Sequence, residues 1–182
     1  MLHRVAELPK RRPQMHPARP RPGRKARLRA AARPMWAGAP AGMPAEQWQG
    51  CVEAGQKTGV DPYILAAQAK QESQFGSGLA GSPSAGDGVM QVEPGTRGAY
   101  ASKFEAKMGH AYDHGNVKDQ IAMAGVILAD KGGSATNMLQ KYNGGDNWAP
   151  GATDSYGRPI LADQYAAKVS ASAEEMRKSA GA

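Results

Sequence analysis

Glu72 is the residue in this sequence best placed to do chemistry. It stands seven residues after Leu65 and four after Gln68, so a helix through them carries its carboxyl on the same face as Leu65, Gln68 and Ala69 rather than on a solvent face. A carboxyl on an inward face near a helix C-terminus is a poor anion. Desolvation and the negative end of the helix dipole both favour its protonated form. Such a group is a general acid at neutral pH, and once its proton has left it is a general base. Asp87 and Glu93, on either side of Val89-Met90-Gln91-Val92, are the carboxylates on which a second acidic role would draw.

Other chemistries find less support. His110 and His114 have the spacing of a helical metal pair, but the Glu of the metalloprotease motif and a third ligand are both missing, so a surface turn is expected. Gly76–Gly88 lacks the Lys-Ser/Thr of a phosphate-binding loop and fits a flexible substrate loop. Cys51 is the only cysteine, which excludes an internal disulfide and a cysteine-built zinc site. It is expected in the core, and no metal or cofactor is called for.

The elements that must position Glu72 read as helices. Ala45–Lys57 has helical spacing at Trp48, Val52 and, less strongly, Cys51, and Thr58-Gly59 ends it. Asp61-Pro62 opens the next helix, with Asp as cap and Pro in the first turn. It runs through Glu72 to about Phe75, where Gly76 and Gly78 stop it. Ser77–Gly95 reads as loop, with Val89–Val92 as a small strand or a helical turn. Val117–Lys131 is the strongest helix, striped by Ile121, Ala124, Gly125 and Leu128. Ser134–Lys141 is a short helix capped by Ser134. A Gly-rich loop, Asn143–Pro159, leads to a final helix from about Leu161 to Lys178, with Leu161, Tyr165, Val169, Ala173 and Met176 on one face.

Four segments occur in order: Gln71-Glu72-Ser73 at a helix end, Gly88-Val89-Met90-Gln91 after a small-residue loop, Lys141-Tyr142-Asn143-Gly144-Gly145, and the late Tyr165. Together they resemble the SLT-type lytic transglycosylases, a lysozyme-like family related to goose-type lysozymes that cleaves peptidoglycan, over roughly Asp61–Val169. The resemblance implies that Glu72 is the catalytic acid/base and that Ser73 positions substrate or the acid. It implies that Met90 and Gln91 floor the saccharide groove. The Tyr142 phenol would contact the Glu or sugar, the Asn143 amide would bind N-acetyl or hydroxyl groups, and Tyr165 would pack by the acid. Val89 for Leu is a conservative departure, and Lys141 for Ala adds a charge near the groove. Trp148 and Tyr156, in the loop after Asn143, are weighed as sugar-stacking residues or local packing.

The expected fold is mainly α, of the lysozyme-like α+β kind: one compact helical domain over residues 45–182, with a substrate groove, behind a disordered basic tail over residues 1–44. The expected activity is cleavage of the MurNAc–GlcNAc β-1,4 bond of peptidoglycan glycan strands to give 1,6-anhydroMurNAc, by a monomer. A hydrolytic muramidase acting on the same bond is the nearest alternative.

Net charge sharpens the division. The chain of 182 residues carries +7. Residues 1–50 hold 11 basic and 2 acidic side chains, net +9, and residues 51–182 hold 12 and 14, net −2. Eight of the 13 prolines lie in that first stretch, so it is expected to be extended. It suits contact with an anionic outer membrane or lipopolysaccharide; the competing expectations are a solvated extension, with Met43 as the natural start, and an organelle-targeting segment. A noncatalytic nucleic-acid or membrane binder acting through this tail is the alternative from a different class. No apolar stretch follows the basic residues as in a secretory signal, and no run approaches the roughly 18 residues of a spanning helix. The expectation is a bacteriophage endolysin or virion enzyme that waits in the host cytoplasm or virion and acts on the periplasmic wall layer.

Overall fold

A computed structural model describes residues 38–82 and 84–181, to which every structural statement here refers. They form six helices: α1 (Ala45–Thr58), α2 (Pro62–Ser73), α3 (Pro94–Met108), α4 (Val117–Lys131), α5 (Ala135–Gly144) and α6 (Ala162–Ser179). Among the described residues the only strand-like pairing is an isolated bridge between Thr153 and Pro159. The mainly α expectation holds. The tail reading falls outside the described residues up to position 37. From Gly38 onward the chain packs on the helices: Met43 is buried, and the Gly38 carbonyl accepts from the Tyr63 hydroxyl at 3.1 Å.

α4 is the centre of the molecule. Every residue from Asp119 to Leu128 is buried, as expected of a helix with partners on several sides. α1 and α3 pack against it, α5 meets both α4 and α6, and α6 also packs on α2. Close approach of α1 to α4 requires a small residue at Gly50, where a Cβ would stand 3.1 Å from the Lys118 Cα. The core joins these helices through Tyr63, Leu65, Met90, Phe104, Ile121, Met123, Leu128, Leu139 and Val169, all with essentially no exposed surface.

α2 forms where its caps say it should. Asp61 Oδ1 accepts from the Tyr63 amide at 2.8 Å, and its other oxygen pairs with Arg177 of α6. Pro62 through Ala69 are all buried, so α2 is wrapped on every side and has no single inward face until its last turn. It ends at Ser73, two residues before the expected stop at Phe75, because Gln74 and Phe75 adopt left-handed φ values of 50° and 60°. Such conformations cost about 1–2 kcal/mol per non-glycine residue. Three bonds offset that cost: Gln74 N–H to the Lys70 carbonyl, Phe75 N–H to the Ala69 carbonyl, and Gln47 Nε2 of α1 to the Phe75 carbonyl at 2.9 Å.

Three expectations are corrected. α3 occupies Pro94–Met108, where no helix was expected beyond the loop ending at Gly95. Val89–Val92 is neither strand nor helix but a turn. Leu161 is 50% exposed, since it precedes the first turn of α6 and the buried stripe begins at Ala162 and Tyr165.

Candidate active site

Glu72 sits in the last turn of α2, partly buried, and lines a cleft of about 380 Å³. Its Oε1 accepts a hydrogen bond of 2.5 Å from the Tyr165 hydroxyl, which reaches it from the first turn of α6. Burial raises the Glu72 pKa above its ordinary value, and the Tyr165 bond offsets part of that rise. Burial first, and then the Glu72 charge, hold the Tyr165 phenol far above its usual pKa, so it remains a donor. The carboxyl is therefore disposed to carry a proton and has a fixed partner when the proton leaves. Gln68, one turn earlier, is fully buried and approaches the Tyr165 hydroxyl without reaching full hydrogen-bond geometry.

The rest of the lining comes from the loop ahead of α3 and from α3, α4 and α5. It includes Gln91, Val92, Glu93 and Thr96, with Lys131, Lys141, Tyr142 and Asn143. The loop is held from beneath by α4. Gln120, 2% exposed, accepts from the Val89 amide at 2.8 Å and donates to the Ser84 hydroxyl and the His114 carbonyl. Gly88 makes this possible: its φ is +73°, and a Cβ there would stand 2.2 Å from the Gln120 Oε1. Gln91 follows with φ 50°, and its amide donates back to the Gly88 carbonyl at 2.7 Å.

Four of the expected site residues, Glu72, Gln91, Tyr142 and Asn143, share the cleft, and Tyr165 reaches Glu72. Ser73 and Met90 lie beneath its surface instead. Ser73 is 5% exposed; its hydroxyl donates to the Val89 carbonyl at 2.9 Å and accepts from the Gly76 amide at 2.9 Å, tying the end of α2 to the loop. Met90 has no exposed surface, and its carbonyl accepts from the Tyr142 hydroxyl at 3.0 Å. Tyr142 thus ties the end of α5 to the turn ahead of α3. Burial raises its pKa well above the usual value, with the Glu72 charge adding to the rise.

Of the two further carboxylates, Glu93 lines the cleft and Asp87 does not. Trp148 packs locally over Gly144 and donates to the Ile160 carbonyl at 3.0 Å, while Tyr156 is 82% exposed with Arg158 over its ring. Neither lines the cleft. His110 and His114 lie in the turn between α3 and α4: His110 bonds Asp119, and His114 meets Arg97, Tyr112 and the Gly86 carbonyl. The residues missed from sequence are the supports, Gln47, Gln120 and Lys131. Only the tertiary fold brings the first two to the loop ends they hold, and the sequence marks Lys131 only as the last residue of a helix.

A family model described as the Transglycosylase SLT domain matches residues 51–156, more than half of the chain. That span includes Glu72, Gln91, Tyr142 and Asn143. No curated protein matches the chain.

Proposed function

The chain belongs to the SLT transglycosylase family of peptidoglycan-cleaving lytic enzymes, and from that premise we propose that Glu72 is its single acid/base and that the product is 1,6-anhydroMurNAc. The observation that carries this reading is the Tyr165–Glu72 pair, in which a partly buried carboxyl with a raised pKa opens onto the cleft. Glu72 gives its proton to the glycosidic oxygen between MurNAc and GlcNAc as the C1–O bond breaks through an oxocarbenium-like state. The substrate's N-acetyl carbonyl stabilises the positive C1. The Glu72 carboxylate, held by Tyr165, then takes the proton of the MurNAc 6-hydroxyl, and O6 closes on C1. The proton balance over the cycle is zero, and no carboxylate nucleophile is needed. Gln91 and Asn143 supply amide groups to sugar hydroxyl and N-acetyl groups, while Ser73 and Met90 fix the walls from beneath.

Glu93 in the same cleft favours the one competing chemistry. A hydrolytic muramidase uses a second carboxylate, about 6.5–9.5 Å from the acid if inverting or about 5–5.5 Å if retaining. Mass analysis of the soluble products decides between them. Anhydro ends, lighter by one water than reducing ends, support transglycosylation, and reducing ends alone overturn it.

The same proposal has the enzyme act as a monomer in phage-mediated lysis, reaching the wall from a lysing cell or a virion, with the basic residues ahead of Gly38 drawn to an anionic envelope. The charge of +9 confined to residues 1–50 supports the last part. Deleting residues 1–37 leaves the Gly38–Tyr63 contact in place and tests it: killing of intact Gram-negative cells falls while digestion of purified sacculi does not. Equal killing by both forms overturns the role of the tail.

A further inference from the structure

Lys141 is a cation that lines the cleft. Among the described residues its ammonium has no carboxylate partner, and its one hydrogen bond, 3.3 Å long, goes to the Lys131 carbonyl. An ammonium has three donors, so two remain for a ligand. The neighbouring Lys131 ammonium also lines the cleft but is already engaged, with Asp146 at 2.8 Å and the Tyr100 ring nearby. Lys141 is not a loosely placed surface charge. It belongs to the last turn of α5, next to Tyr142, whose hydroxyl is fastened to the Met90 carbonyl of the turn ahead of α3. Its root is therefore fixed relative to Glu72.

The remaining charges restrict where an anion can sit. Glu93 lines the cleft as well, and an anionic group on the ligand is disfavoured beside it and favoured at Lys141. A peptidoglycan strand alternates two sugars, and only the muramyl residue carries an acidic side arm. A cation on one part of the cleft wall thus distinguishes the two sugars, and with them the two alternating glycosidic bonds that could lie over Glu72.

Resting on the reading of this cleft as the glycan-strand groove, we propose that Lys141 binds a carboxylate on the muramyl side arm and so sets the register of the strand over Glu72. The carboxylate comes from the stem peptide or, on a stripped strand, from the lactyl group itself. The Lys131 carbonyl holds the Lys141 ammonium towards that position, and the Lys131 charge adds to the local positive potential.

The test uses the full chain on three substrates: native sacculi, sacculi whose carboxylates are capped as amides with carbodiimide and excess ammonium, and amidase-stripped strands bearing free lactyl carboxylates. The wild type is expected to show about a tenfold higher kcat/KM on native than on capped sacculi, the worth of one charge-assisted hydrogen bond, with the difference in KM and shrinking as salt rises. Lys141→Met removes most of that preference and Lys141→Arg restores it. If Lys141→Met also slows cleavage of stripped strands, Lys141 holds the free lactyl carboxylate as well as the stem-peptide one; if it slows cleavage of native sacculi alone, only a stem-peptide carboxylate is held. A wild type indifferent to capping, or a Lys141→Met loss of equal size on capped and native sacculi, overturns the proposal. Failure of the underlying assignment looks different, because a Glu72→Gln enzyme would then still cut all three.

Discussion

Replacing Tyr165 by Phe removes one hydroxyl from the pair around Glu72 and keeps the ring that fills the α2–α6 interface. The bond lost is a 2.5 Å contact from a donor that is 8% exposed. Hydrogen bonds to charged acceptors contribute about 1.5–3 kcal/mol, which at about 1.4 kcal/mol per decade is roughly 10- to 150-fold in rate. The bond favours the ionised carboxylate, which the proposed mechanism creates only as the proton leaves. The loss should therefore fall on kcat, with KM little changed. A second signature comes with it. Tyr165 lowers the Glu72 pKa against the burial that raises it, so Tyr165→Phe raises that pKa further. Glu72 then stays protonated to higher pH, and the basic limb of the kcat profile moves up. The assay is clearance of purified sacculi, with kcat and KM followed from acidic to mildly basic pH. A Tyr165→Phe enzyme with wild-type kcat, or with a basic limb moved down, refutes the reasoning.

Three further outcomes follow from the same geometry. Burial holds the folded Glu72 pKa above its unfolded value, so stability is whole below the unfolded value and is lost as pH rises through the folded one. Glu72→Gln escapes that loss and should melt higher than the wild type near neutral pH; the two should converge in acid, and a constant gap across pH contradicts this. Ser73→Ala strands the Val89 carbonyl and leaves the Gly76 amide with only the Ser73 backbone carbonyl, and should lower the unfolding free energy in urea by about 1–3 kcal/mol. An unchanged midpoint would show that the α2–loop tie is dispensable. Gly88→Ala forces a side chain into a left-handed φ and against the Gln120 amide that holds Val89. It should destabilise by about 2–4 kcal/mol in urea unfolding, and an unchanged midpoint would contradict this.

The local grammar of the helices was legible, and what depends on several neighbours at once was not. Asp61-Pro62 and Ser134 cap the helices that they appear to cap. α1 shows why a stripe of large residues misleads: Val52 is only partly buried, while Gln47, Gly50, Cys51, Ala54 and Gly55 form the buried side. Contact with α4 selects small residues there, and a search for bulky ones overlooks them. α3 was missed because Gly95 and Gly98 weaken its helical signal and only Phe104 is buried; the spacing Tyr100–Phe104–Met108, with Pro94 before and Gly109 after, was the available clue. Glu72 was found through its register with Leu65 and Gln68, yet α2 is buried on every side up to Ala69. Its semi-buried state comes from its place at the helix end and from Tyr165, 93 residues on. The two-residue left-handed stop at Gln74 and Phe75 depends on Gln47, a tertiary bond that no local pattern announces.

The central claim is that one carboxyl, Glu72, both breaks the glycosidic bond and closes the anhydro ring. The most direct measurement is mass spectrometry of the soluble fragments released from purified sacculi by the wild type and by Glu72→Gln at equal concentration. The expected result is 1,6-anhydroMurNAc ends from the wild type and no release from Glu72→Gln. Reducing MurNAc ends from the wild type, or anhydro fragments from Glu72→Gln, would contradict it.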